Sequence, residues 1–131
     1  MLAAGDALLI PDHEYGGNHW YFIVSDPQAD PQRVVLVPVT PWENYKDDSC
    51  IIEPSEAPEC SFITHQSCID FRESRLERET VLSAHIKSGV IRHKPGIGVP
   101  LLDKIHKGPQ ETRFLPGKCR LTLEDQNLVQ P

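Results

Sequence analysis

The sequence Val-Val-Leu-Val-Pro-Val-Thr at residues 34–40 decides the fold class of this chain. Apolar and β-branched residues follow one another here without alternation, a pattern that is typical of a strand buried on both faces. Residues 33–39 are therefore predicted to form a strand, and Pro38 and Pro41 mark where its pairing stops. The run is far too short to cross a bilayer.

Two further strands are predicted on the N-terminal side of this run. Residues 7–10 are apolar and stop at Pro11, and residues 20–24 are dense in aromatic and β-branched side chains, which pack well on a pleated sheet. Between them, residues 12–18 contain Gly16-Gly17 and are predicted to form a loop. Shorter strands are predicted at residues 50–52, 62–63, 67–71 and 119–123.

In the second half of the chain, helical patterns replace the strands. Residues 79–88 are predicted to form a short helix, because apolar residues four apart line one face and Gly89 can end it. A second helix is predicted from Pro100, a residue that suits the first helical turn, to a stop at Gly108-Pro109. The tail that follows is predicted to hold one strand and a loose polar end.

Together these elements predict a single domain of 131 residues, mainly β with late short helices (α+β), built as a small, partly open β-barrel. The barrel core would cover about residues 5–72, the helical region about 75–108 and the tail 109–131. Neither a membrane-spanning run nor the layout of a signal peptide is present, so we expect a cytoplasmic protein.

Charge is unevenly distributed along the chain. Residues 1–60 carry two basic and eleven acidic side chains, a balance of −9, whereas residues 61–131 carry eleven basic and eight acidic ones, a balance of +3. A polyanion would be attracted to the second part and repelled by much of the first.

The four cysteines include no Cys-x-x-Cys pair, so free thiols are expected in a reduced compartment. Cys60, His65 and Cys68 nevertheless lie close together in the sequence. With Cys50 as a fourth ligand they give one alternative, a small zinc protein.

Several short segments follow a common pattern. Gly5-Asp6 opens the first strand, the second strand ends in Ser25, and the third ends in Thr40. Residues 62–71, 86–89 and 101–105 extend the pattern, and in this combination the chain resembles the MazF/PemK-like toxins over about residues 5–108. That resemblance implies an SH3-like barrel, a homodimer, an antitoxin protein as partner, and cleavage of single-stranded RNA without a cofactor. Where those toxins have Arg-Pro, this chain has His19-Trp20.

Cleavage of RNA through its 2′-hydroxyl needs a base, an acid and a donor that stabilises the phosphorane charge. The resemblance aligns His19 with the family's arginine and Thr40 with its threonine, and histidine carries protons near neutral pH. We therefore predict catalysis by His19, Thr40 and His65, substrate binding by Ser67, Arg72 and Trp20, and no metal ligands.

The same residues also have ordinary structural interpretations. His19 beside two aromatic residues is equally compatible with packing, and Thr40 before Pro41 is typical of a turn. Arg72 and its neighbouring arginines alternate with glutamates, which is typical of surface ion pairs. The alternative function is therefore a catalytically inactive SH3-like barrel that binds a protein or nucleic-acid partner, and the acidic residues 1–60 favour it.

Overall fold

A computed structural model describes residues 1–12 and 16–131. Part of the predicted loop at residues 12–18 lies outside these ranges. The strands described are β1 (Ala7–Pro11), β2 (Asn18–Ile23), β3 (Val34–Pro41), β4 (Ile51–Ile52), β5 (Ser67–Ile69), β6 (Arg75–Glu77) and β7 (Arg92–Lys94). The helices are α1 (Glu79–Lys87), α2 (Val99–Glu111) and α3 (Gly117–Asp125), with short 3₁₀ helices at Pro54–Glu56 and Phe71–Glu73.

These strands form one antiparallel sheet. Its order is β4-β5-β3-β2-β1-β7, and β6 also pairs with β3. In the described part of the chain the end strands β4 and β7 do not pair with each other, so the sheet stays open. The predicted fold class is confirmed: the chain is mainly β, with short helices late in the sequence and a partly open barrel.

β3 lies at the centre of the sheet, with β2 along one edge and two strands sharing the other. β6 pairs with residues 34–36, and β5 pairs with residues 39–41. Between β5 and β6 the chain leaves this edge as the 3₁₀ helix Phe71–Glu73. The predicted strand at residues 67–71 therefore ends early, at Ile69.

Helices cover both faces of β3, which explains why its sequence does not alternate. The side chains of residues 34–37 are fully buried, as predicted. Val35 and Val37 pack in a larger core with residues of α2 and α3. Val34 and Leu36 pack in a smaller core beneath Leu82 of α1.

Two predicted strands are wrong. Residues 62–63 lie in a turn, and residues 119–123 belong to α3. Cys119 and Leu123 are four residues apart, so a helix turns both into the core, where they are 2% and 1% exposed. The tail is not loose either, because Val129 is also buried in the larger core.

The predicted α1 is confirmed, and Gly89 follows its end with a positive φ of 83°. α2 begins beside Pro100 as expected, but it continues to Glu111 instead of stopping at Gly108-Pro109. Both of those residues are buried, and their packing holds the last turn. Within residues 1–12 and 16–131, none of the helices has the length and apolarity to cross a membrane.

Candidate functional site

His19 and Thr40 lie side by side at the open end of the β2–β3 pair. Trp20 pairs with Val39, so His19 lies opposite Thr40 one step further along. Because side chains alternate along a strand, both project from the same face of the sheet. The His19 side chain is 45% exposed and Thr40 is half-buried, so both are accessible from solvent.

Two clefts meet at this pair. The polar cleft, of about 570 Å³, is lined by His19 and Thr40 together with Asp12, Tyr21, Asp70, Arg72, Ser74 and Arg75. The aromatic cleft, of about 190 Å³, is lined by His19 and Thr40 together with Trp20, Phe62, His65 and Ser67. The structure therefore brings each of the six predicted site residues to one or both of these clefts. Their chemical roles stay predictions.

His19 has an acidic partner that the sequence analysis did not identify. Its Nε2 atom lies 3.4 Å from Oδ2 of Asp12, which directly follows β1. β1 and β2 pair in a register that sets Ile10 opposite His19, and this register carries Asp12 to the ring. A carboxylate in this position orients an imidazole and its tautomer.

Thr40 has a cationic partner that was also missed. Nζ of Lys46 donates to Oγ1 of Thr40 at 3.0 Å and to the carbonyl oxygen of Pro41 at 2.7 Å. The Thr40 hydroxyl itself donates to that same carbonyl at 3.1 Å. The only sequence signal was that Lys46 is one of two basic residues in an acidic stretch of sixty.

His65 and Ser67 form one wall of the aromatic cleft, but they differ in solvent exposure. His65 is exposed, whereas Ser67 is only 6% exposed. The Ser67 hydroxyl donates to the backbone carbonyl of His65 at 3.0 Å, so it shapes the loop that presents the imidazole.

The predicted substrate-binding residues Trp20 and Arg72 each make ring contacts. Trp20 stacks on Phe62 with ring centroids 4.0 Å apart and planes 7° apart, so one face of the indole is covered. The guanidinium of Arg72 lies 4.3 Å from the ring centroid of Phe114. Arg75 pairs with a glutamate, as the surface interpretation of these arginines predicts, and its guanidinium also lies 5.2 Å from the ring centroid of Tyr21.

The zinc alternative lacks a ligand cluster. Within residues 1–12 and 16–131, no three His, Cys, Asp or Glu side chains lie close enough together to hold a metal ion. Cys60 and Cys68 are free and buried, while His65 is exposed. Burial raises the pKa of the Cys60 thiol to about 11 and also raises the pKa of Cys68, so both stay protonated near neutral pH.

No protein-family model matches this chain, and a search of curated proteins finds no match either.

Proposed function

We propose that this chain is a MazF/PemK-like endoribonuclease that cleaves single-stranded RNA without a metal ion or cofactor. One observation supports the proposal above the others. The imidazole of His19, 3.4 Å from the Asp12 carboxylate, lines the same two clefts as Thr40, and the Lys46 ammonium donates to the Thr40 hydroxyl. A proton carrier, a hydrogen-bond donor and a cation are the groups that cleavage through the 2′-hydroxyl requires.

In the proposed reaction, the 2′-oxygen attacks the adjacent phosphorus while a base takes its proton. The bond from phosphorus to the 5′-oxygen then breaks, and an acid gives that oxygen a proton. The products are a 2′,3′-cyclic phosphate and a free 5′-hydroxyl. His19 and His65 line the same cleft, so one imidazole can act as the base and the other as the acid.

Thr40 and Lys46 would act on the charge of the phosphorane. The Lys46 ammonium has one hydrogen left for a non-bridging phosphate oxygen, and the Thr40 hydroxyl can donate to another once it turns away from the Pro41 carbonyl. Lys46 would then supply the positive charge that the resembled toxins take from the arginine at the position of His19.

The test is cleavage of 5′-labelled single-stranded RNAs by the purified chain in excess EDTA. We expect fragments that end in a 2′,3′-cyclic phosphate, and we expect His19→Ala to form them at least about 10²-fold more slowly. His85→Ala is the matched control, because His85 is an exposed histidine on α1 outside both clefts. Failure of the wild-type chain to cut any of several unrelated RNAs would contradict the proposal.

The cellular part of the proposal is a cytoplasmic toxin that acts as a homodimer and is held in check by an antitoxin protein. Induced expression should arrest growth, the His19→Ala variant should not, and co-expression of the neighbouring gene should restore growth. Size-exclusion chromatography with light scattering should give twice the mass of one chain.

A second function is favoured by the carboxylates of the polar cleft. Asp12, Asp70 and Glu73 line it beside Arg72 and Arg75, so its charge is mixed rather than uniformly positive. A mixed surface suits a protein partner better than a polyanion. A chain of this kind would retain a partner from the same cell on an affinity column, but it would cut no RNA and arrest no growth.

A further inference from the structure

A third cleft, which we call the distal cleft, lies between the loop after β3 and the end of α2. Its volume is about 440 Å³, and its lining includes Tyr45, Lys46, Asp48, Arg72, Glu111 and Phe114. This volume is within the range of small-molecule sites. Of its lining residues, the sequence analysis had assigned a binding role only to Arg72, because the walls at residues 45–48 and 111–114 are more than sixty residues apart in the chain.

Two large aromatic rings in this cleft are open to water. Tyr45 is 77% exposed and Phe114 is 42% exposed. Phe114 lies under the guanidinium of Arg72, which is 4.3 Å from the ring centroid. Exposed rings that share a cleft with a stacked guanidinium form the kind of flat platform on which a nucleobase stacks.

Four carboxylates line the distal cleft, of which Asp47 and Asp70 are half-buried and Asp48 and Glu111 are exposed. Asp47 is occupied, because it accepts hydrogen bonds from the Ser49 hydroxyl at 2.6 Å and from the Thr112 hydroxyl at 2.9 Å. Asp48 and Glu111 are exposed, and neither has a hydrogen-bond or ion-pair partner among the residues that the structure describes. These two side chains are free to bind a ligand.

A free carboxylate restricts which base can bind. It has two acceptor oxygens and no donor, so it pairs best with two donors that point the same way. The Watson–Crick edge of guanine offers such a pair in N1–H and N2–H. Uracil offers a single N–H between two carbonyl groups, and a carboxylate repels the oxygens of those carbonyls.

The distal cleft adjoins the candidate ribonuclease site. Asp70 and Arg72 line both the polar cleft and the distal cleft. Lys46 lines the distal cleft and reaches Oγ1 of Thr40 at 3.0 Å. An RNA strand with a phosphate at Thr40 can therefore extend its neighbouring nucleotide into the distal cleft.

We propose that the distal cleft is a nucleobase subsite that selects guanine, stacking it on the platform of Phe114 and Arg72 and binding its donor edge with Asp48 or Glu111. That this guanine stands next to the cleaved phosphate rests on the proposed ribonuclease function. Binding of guanine in the distal cleft does not rest on that function.

The binding test is a titration of the ¹⁵N-labelled full chain with guanosine 5′-monophosphate and, separately, with uridine 5′-monophosphate in EDTA, followed by NMR. We expect the guanine nucleotide to bind about tenfold more tightly and to shift the amides of residues 45–48 and 111–114. Equal affinities, or shifts confined to other parts of the chain, would overturn the proposal.

Two variants separate stacking from the carboxylate contacts. Phe114→Ala should weaken the guanine nucleotide about tenfold, whereas Leu121→Ala, which removes a similarly exposed side chain on α3, should not. Asp48→Asn combined with Glu111→Gln should abolish the preference for guanine over uracil, and the exposed Asp103→Asn should preserve it. If the double variant keeps the full preference, the assignment of the carboxylates is wrong. Circular dichroism melting shows that each variant is folded.

The cleavage assay distinguishes this proposal from the previous one. RNA cutting that depends on His19 but ignores the neighbouring base would overturn the subsite and leave the ribonuclease proposal standing. Selective binding of guanosine 5′-monophosphate without cleavage of any RNA would support the guanine site and contradict the ribonuclease.

Discussion

β1 has a histidine–aspartate pair near each of its ends, and the two pairs differ in their surroundings. Asp6 precedes β1 and lies 2.8 Å from Nε2 of His93, with side-chain exposures of 16% and 28%. Its carboxylate also accepts the backbone N–H of Ala3 at 3.0 Å. Asp12 follows β1 and lies 3.4 Å from Nε2 of His19, with exposures of 26% and 45%.

The comparison shows that the pair itself does not make a site. The Asp6–His93 pair joins β7 and the N-terminal turn to the sheet, and the Asp6 carboxylate is already engaged by His93 and by the Ala3 N–H. The Asp12–His19 pair is longer and more open, and it lies beside Thr40, whose hydroxyl contacts Lys46. What distinguishes the candidate site is the hydroxyl, the cation and the two clefts around its histidine.

The largest effect should come from removing one histidine of each pair. His19→Ala should lower RNA cleavage by about 10²- to 10⁴-fold, because it removes a proton carrier. His93→Ala should leave cleavage nearly unchanged and lower the free energy of unfolding by about 1 kcal/mol, because it removes the hydrogen bond that joins β7 to Asp6. Cleavage rates and urea unfolding measure the two. Equal loss of cleavage in both variants would show that the pairs do not differ in role.

The cation beside Thr40 should have the next largest effect. Lys46→Ala should slow cleavage by about 10²-fold, since charge on the phosphorane would lose a nearby donor. Lys46→Arg should restore part of the rate. Lys118→Ala, an exposed lysine at the start of α3, is the control for a general loss of positive charge. If it slows cleavage as much as Lys46→Ala, the effect of Lys46 is only long-range attraction of RNA.

Replacing the aspartates of the two pairs should have smaller effects, on kcat for Asp12 and on stability for Asp6. Asp12→Asn keeps the shape of the side chain and should reduce kcat about tenfold with little change in KM, because it weakens the contact that orients His19. Asp6→Asn should instead lower the free energy of unfolding by about 1–2 kcal/mol. An Asp12→Asn variant with normal kcat and a lower melting temperature would make that pair structural too.

The smallest expected effect concerns Glu56, whose carboxylate pairs with Lys104 outside the candidate site, and it serves as a reference for the pH dependence of stability. A hydrogen bond from the backbone of Glu53, followed by one from Lys104, holds the pKa of Glu56 below its ordinary value of 4.5. The stabilisation from Glu56 is therefore present above that value and is lost as the pH falls through the lowered pKa. Glu56→Gln should be slightly less stable than the wild type at pH 7, and the difference should vanish in acid. A difference that persists at pH 2 would exclude this origin.

The first three strands could be predicted because their own residues determine them. Residues 34–37 are apolar throughout, and their burial follows from that pattern alone. β6 could not be predicted in this way, because Arg-Leu-Glu at residues 75–77 is mostly charged and becomes a strand by pairing with β3. Residues 119–123 of α3 were mistaken for a strand. Their apolar side chains alternate with polar ones, but five residues are too few to distinguish a strand period of two from a helical period of 3.6.

The sequence could predict only those residues of the candidate site that stand out within their own segment. His19 lies near the start of β2 and Thr40 near the end of β3, so their proximity follows from a simple hairpin arrangement. Asp12 and Lys46 join them through the register of β1 and the course of a loop, which no local pattern records. The distal cleft combines residues 45–48, 70–72 and 111–114, and only tertiary structure brings these three segments together.

Pro38 gives the polar cleft its opening. Its carbonyl accepts the N–H of Asp70, so its backbone nitrogen points to the same edge of β3. A proline nitrogen has no hydrogen to donate, so the ladder between β3 and β5 loses a bond at that point, and pairing on this edge resumes only with β6 at residues 34–36. The chain therefore swings out as the 3₁₀ helix Phe71–Glu73 and carries Arg72 to the rim of the cleft. One missing hydrogen atom in the middle of the sheet thus creates the gap through which a ligand could reach His19 and Thr40.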